Sequence, residues 1–174
     1  MAGRKPTGAE TAFLLLFHAT ISGAFLVAYL TGDEDSYGMH VFSGYAVIVA
    51  LAARLLAGLL AAGGSPLRLP RPSAAAVGAH LRRIRETGLA AFAQRSPLLA
   101  WMAVALLAGV GAAAITGAVA DFTTAVEDLH EALGEAALYI VIAHVALVLC
   151  LHVLKPSAPG RAPEGNALRG PQAG

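Results

Sequence analysis

Four stretches of this chain run for about a membrane's width with almost no charge, and that pattern narrows its possible folds more than any other feature. Crossing a ~30 Å hydrocarbon layer as a helix takes about 20 apolar residues, with every backbone polar group satisfied inside the segment. Thr11 to Thr31 carries no charge, and Met39 to Ala62 carries only Arg54, whose head can snorkel to an interface. Leu98 to Ala120 is rich in alanine and glycine, which lets helix backbones approach closely in lipid. Leu129 to Leu154 has acidic residues only in its first two turns. Overall 57% of residues are hydrophobic and 13% charged, against roughly 25% charged in a soluble domain. So large an apolar surplus cannot be hidden inside a chain of this length, and lipid is the expected solvent. The expected fold is all-α, an integral membrane four-helix bundle with spans at 11–31, 39–62, 98–120 and 129–154.

The charges orient that bundle. Arg4 and Lys5 precede the first span, and Arg54 closes the second. Arg68, Arg71, Arg82, Arg83, Arg85 and Arg95 lie near or within the connection 63–97, and Lys155, Arg161 and Arg169 follow the fourth span. Four crossings put all of these cations on one side, which the positive-inside rule makes cytoplasmic. The opposite connections carry Asp33, Glu34, Asp35, Asp121, Glu127 and Asp128 and no Lys or Arg. Both termini are therefore expected in the cytoplasm, with the protein multi-pass in the membrane. The first apolar run exceeds the ~7–15 residues of a signal peptide and no small-x-small cleavage site follows it, so it reads as a retained span.

Residues 1–10 read as a cytoplasmic N-terminus and 11–155 as the membrane domain. In the connection 63–97, Pro66 to Pro72 forms a turn and extended segment. Val77, Leu81, Ile84 and Leu89 then recur at helical spacing opposite the arginines, as in an amphipathic helix lying on the membrane surface. Residues 156–174 read as a disordered cytoplasmic tail. A net charge of +1 excludes a strongly basic nucleic-acid binder. The single cysteine, Cys150, excludes an internal disulfide framework and covalent c-type haem attachment, which needs Cys-x-x-Cys-His.

Five of the six histidines fall within or at the ends of spans, where an unpaired ionisable side chain is costly. His18 lies ~10 Å below the inner surface and His144 ~16 Å from it, at 1.5 Å per residue. His40 and His130 open the second and fourth spans at the outer surface. His130 and His144 are four helical turns apart, so one helix face serves two levels ~21 Å apart. Gly44 and Gly134 each follow an outer histidine by one turn and leave room for a flat macrocycle. A lone histidine in an apolar helix is more often a hydrogen-bonded packing residue. Two matched pairs without neighbouring Cys or clustered carboxylates suit the axial positions of haem better than a four-coordinate zinc site. His80 reads as solvated or interfacial, His152 as an alternative inner ligand, and Glu131 and Glu135 as solvated.

Certain pieces of the chain resemble the bacterial cytochrome b561 and nickel-iron hydrogenase b-type cytochrome family, across about residues 11–155. They are Phe17-His18, Thr31-Gly32, His40-x-x-x-Gly44, Arg54 to Gly58, Ile115-Thr116-Gly117, Leu129-His130-Glu131 and Ala143-His144-Val145. The resemblance implies two non-covalent haems b, with His18 and His144 on the inner iron and His40 and His130 on the outer. It also implies ubiquinone or menaquinone, and a redox partner such as a c-type cytochrome or a catalytic oxidoreductase subunit; a homodimer is left open. The implied function is electron transfer between the quinone pool and that partner. The alternatives are a self-sufficient superoxide:quinone oxidoreductase and, against the lack of paired inner carboxylates, a non-redox transporter. Arg54, Arg95 and Lys155 are the expected cations for the inner propionates, and Ser36 and Tyr37 the expected neutral donors for the outer.

Overall fold

A computed structural model describes residues 4–88 and 96–154. The readings of Leu89, Arg95, Lys155 and the tail 156–174 lie outside the described residues. The described part contains five α-helices: α1 Gly8–Leu30, α2 Tyr37–Leu60, α3 Ala74–Thr87, α4 Leu98–Ala120 and α5 Glu127–Val153. All but α3 are long and apolar enough to cross a membrane.

The spans begin up to three residues earlier than the charge pattern suggests, because acidic residues in a first turn belong to the helix. Negative side chains there oppose the positive end of the helix dipole and cap free N–H groups. In α1 the Thr7 hydroxyl accepts from the Glu10 N–H at 3.2 Å, while the Glu10 carboxylate accepts from the Thr7 N–H at 2.8 Å. This is a reciprocal capping box. Glu127 and Asp128 lie in the first turn of α5, which follows a short 3-10 turn at Thr124–Val126, and no side chain caps it. Before α2, the Asp33 carboxylate accepts from the Ser36 hydroxyl at 2.6 Å and from its N–H at 2.8 Å. Those bonds hold the Asp33 carboxyl below its ordinary range.

Short connections make α1 and α2, and α4 and α5, antiparallel neighbours, and α2 packs on α4 to join the two pairs. Among the described residues α1 and α5 do not pack together to a comparable extent. The small core is centred on Val47, Leu51, Val110, Ala113 and Ala137, with Phe25, Leu106 and Leu133 against it. Large apolar side chains such as Leu15, Leu16, Phe42, Val49, Leu59 and Leu149 instead point outward, the inverse of a water-soluble bundle and what lipid requires. Gly109 keeps α4 and α5 close: a Cβ there would lie 2.7 Å from Ile140 Cδ1.

The bundle has two chemically distinct ends. At one end the 31–36 and 121–126 connections meet, where the Tyr37 hydroxyl donates to Asp121 at 3.1 Å. At the other, the buried Glu10 carboxylate accepts from the buried Ser65 hydroxyl at 2.5 Å and from Arg4 at 2.6 Å, tying the start of α1 to the segment after α2. Arg54 is buried and donates from Nη1 to the Leu67 carbonyl at 2.7 Å. It therefore reaches out of the apolar layer onto the connecting backbone.

The amphipathic helix α3 exists, but its inward face differs from the expected one. Leu81 is exposed, Val77 and Ile84 are half-buried, and His80 is buried. Of the reading of His80 as solvated or interfacial, the solvated part is thus corrected: positions 77, 80 and 84 lie within about 60° of one another on one helix face, and the histidine is the most buried of the three.

Candidate functional site

The acidic end of the bundle holds a cavity of about 620 Å³ lined by all four long helices, within the ~300–1,000 Å³ typical of ligand sites. His40 and His130 both line it. Their ring centroids are 5.8 Å apart and their planes nearly perpendicular, at 76°. Each ring is anchored through Nδ1 to a carbonyl on a neighbouring helix: His40 to Ala28 of α1 at 2.7 Å, His130 to Ala113 of α4 at 3.0 Å. A ring that donates Nδ1–H carries its free lone pair on Nε2, the tautomer that binds a metal through Nε2. Carbonyl acceptors behind metal-binding histidines fix ring orientation and raise basicity. Tyr37 stacks on His40, with centroids 6.1 Å apart and planes inclined by 12°.

Four glycines, Gly32, Gly44, Gly117 and Gly134, help line the cavity. A methyl group at Gly44 or Gly134 would meet nothing within 4 Å, so both border open space. At Gly117 the methyl would lie 2.7 Å from His130 Cε1. The polar rim is acidic. Asp121 accepts from the Tyr37 and Tyr45 hydroxyls at 3.1 and 2.9 Å, and Glu127, Glu131 and Glu135 also face the cavity. Ser36 and Tyr37 are therefore not spare donors for a propionate, because their hydroxyl protons go to Asp33 and Asp121. Tyr45 is the rim residue that the sequence reading missed.

The second pair is more open. The His18 ring is exposed, contacts the Leu14 carbonyl of its own helix through Nδ1 at 2.7 Å, and meets Phe17 edge-on at 5.3 Å. His144, half-buried on α5, has an Nδ1 that is shielded from solvent and has no hydrogen-bond partner. The orphaned Nδ1 of His144 is a polar atom awaiting a partner. His152 is exposed in the last turn of α5.

Protein-family models, curated proteins and solved structures gave no match to this chain. The fit to haem therefore rests on the residues. Two nitrogens held on opposite sides of one metal ion at about 2 Å separate imidazole centroids by roughly 6 Å, close to the 5.8 Å between His40 and His130. Among the described residues no three His, Cys, Asp or Glu side chains form a group able to hold a bare metal ion. A cavity with two imidazoles and glycine-bordered open space suits a planar macrocycle whose own nitrogens supply the remaining ligands.

Proposed function

We propose that the protein is a di-haem b-type cytochrome of the bacterial inner membrane, carrying electrons between the quinone pool and a redox partner protein. The observation that carries this reading is the pair His40 and His130, 5.8 Å apart in the cavity with each Nδ1 on a carbonyl. His40 and His130 would hold one haem b, with Gly44 and Gly134 leaving room for it. His18 and His144 would hold the second. Bound haem b supplies a one-electron iron couple. The chain's own contribution is to aim the imidazoles, keep water from the ring faces with apolar helices, and set the surrounding charge. The gathering of Lys and Arg on the connections at the His18 end orients both termini to the cytoplasm.

The acidic rim separates the two redox readings. Asp121, Glu127, Glu131 and Glu135 line the cavity, and among the described residues no Lys or Arg lines it. Such a field repels superoxide and attracts a basic protein surface, which favours the electron-transfer subunit over a superoxide oxidase. Haem extraction and quantification against protein mass test the proposal. Two non-covalent haems b per chain, both six-coordinate and low-spin, are expected; a colourless protein from haem-replete cells would overturn it.

A further inference from the structure

We infer that Gly117 is a positioning residue for His130, fixing which ring nitrogen faces the cavity; the inference rests on the ligand role proposed for His130. A Cβ on Gly117 would lie 2.7 Å from His130 Cε1 and 3.2 Å from both Nδ1 and Nε2. Three atoms of the ring thus fill the space that a side chain at this position of α4 would need. The ring cannot swing aside cheaply, because Nδ1 bonds the carbonyl of Ala113 at 3.0 Å. Ala113 is itself buried in the core, one turn before Gly117 on the same helix face. The Thr116 hydroxyl, 3.5 Å from Nδ1, donates to the Ala112 and Ala113 carbonyls and closes the cradle.

Gly109 on the same helix provides the contrast. A Cβ there would be as crowded, at 2.7 Å, but against Ile140 Cδ1, the tip of a flexible side chain that can rotate away. At Gly117 the neighbour is a ring pinned through Nδ1, so an added methyl breaks the Ala113 bond or turns the imidazole. Helix propensity alone favours alanine over glycine in a helix interior, so a merely structural Gly117 would tolerate the change well. The penalty is specific to the ring.

The test uses full-length protein with ¹⁵N-labelled histidine in detergent, with the His130 signal assigned by its loss in His130→Gln. In the wild type, His130 is expected as the Nδ1–H tautomer; in Gly117→Ala it should shift to Nε2–H or to a mixture, while Gly109→Ala leaves it unchanged. In haem-loaded protein, Gly117→Ala should change or abolish the low-spin signature of one haem only. A wild-type His130 in the Nε2–H tautomer overturns the inference whatever the variant does. So does a Gly117→Ala protein whose His130 signal and haem signatures match the wild type. A protein without haem, whose His130 tautomer still switches in Gly117→Ala, supports the positioning role and sinks the haem reading alone.

Discussion

An imidazole offers a metal ion one lone pair, and the partner on its opposite nitrogen decides how firmly that lone pair is aimed. The two levels differ in this respect. His40 and His130 lean on carbonyls of neighbouring helices, whereas His18 leans on its own helix and the Nδ1 of His144 has no acceptor. Substitution should sort the four into pairs: His40→Ala and His130→Ala lose the same haem, and His18→Ala and His144→Ala lose the other, read as bound haem and redox difference spectra. Loss of the inner haem in His152→Ala but not in His144→Ala would reassign the ligand. Arg54 is expected to act in two ways. Removing its bond to the Leu67 carbonyl in Arg54→Gln should cost about 1.5–3 kcal/mol of stability, the range for a hydrogen bond to a charged group. Reduced haem carries one more negative charge than oxidised haem, so loss of a nearby cation should also lower the inner midpoint potential. An unchanged potential in a spectroelectrochemical titration would leave Arg54 as a fastener of the connection alone.

Helices in lipid are joined by close contacts and polar fasteners rather than by a hydrophobic drive. The fastener at the basic end is the Glu10–Ser65 bond, between two buried side chains. The Arg4–Glu10 pair is closer to water, with the Arg4 side chain 46% exposed, and a pair of that kind is weakened by solvent and salt. Ser65→Ala should therefore lower the melting temperature in detergent more than Arg4→Ala does, and the Ser65→Ala effect should be nearly independent of ionic strength; the reverse order would place the fastener in the ion pair. This network was illegible in the sequence because it joins positions 55 residues apart. What could be read was whatever depends on chain order: the four apolar runs, the gathering of cations on alternate connections, and the spacing of His130 and His144 along one helix. What could not be read depends on which faces meet. Gly117 stood out in the sequence only as part of Ile115-Thr116-Gly117, and its closeness to His130 emerged only once α5 was placed against α4. His80 looked solvated among arginines, but α3 turns positions 77, 80 and 84 inward and leaves Leu81 exposed. Glu10 and Glu127 fell outside the apolar runs 11–31 and 129–154, and in the fold each sits inside its helix as part of the first turn.

At the scale of the molecule, the separation of the two histidine levels sets what the protein can do. His130 and His144 stand 14 residues apart on α5, which is ~21 Å along a helix axis and about two-thirds of a ~30 Å hydrocarbon layer. Both lie on one face of the helix, so a single element fixes the spacing of the two levels, and two macrocycles between them would shorten the gap from edge to edge. Neither level alone spans the membrane. The acidic rim around Asp121 and Glu131 lies at one end, and the Arg4–Glu10–Ser65 fastener and the arginine-bearing connection lie at the other. This polarity predicts transfer through the bundle, from surface to surface, instead of turnover at one face. In liposomes with an impermeant reductant outside and an impermeant oxidant trapped inside, the wild type should pass electrons across the bilayer, and His18→Ala and His130→Ala should each abolish that transfer. Because the rim is acidic, a basic soluble donor added at that face should be oxidised faster at low ionic strength than at high, with a neutral donor showing no such dependence. Full haem loading without transmembrane transfer, together with quinone turnover at one surface, would overturn the two-level path and favour a self-contained oxidoreductase.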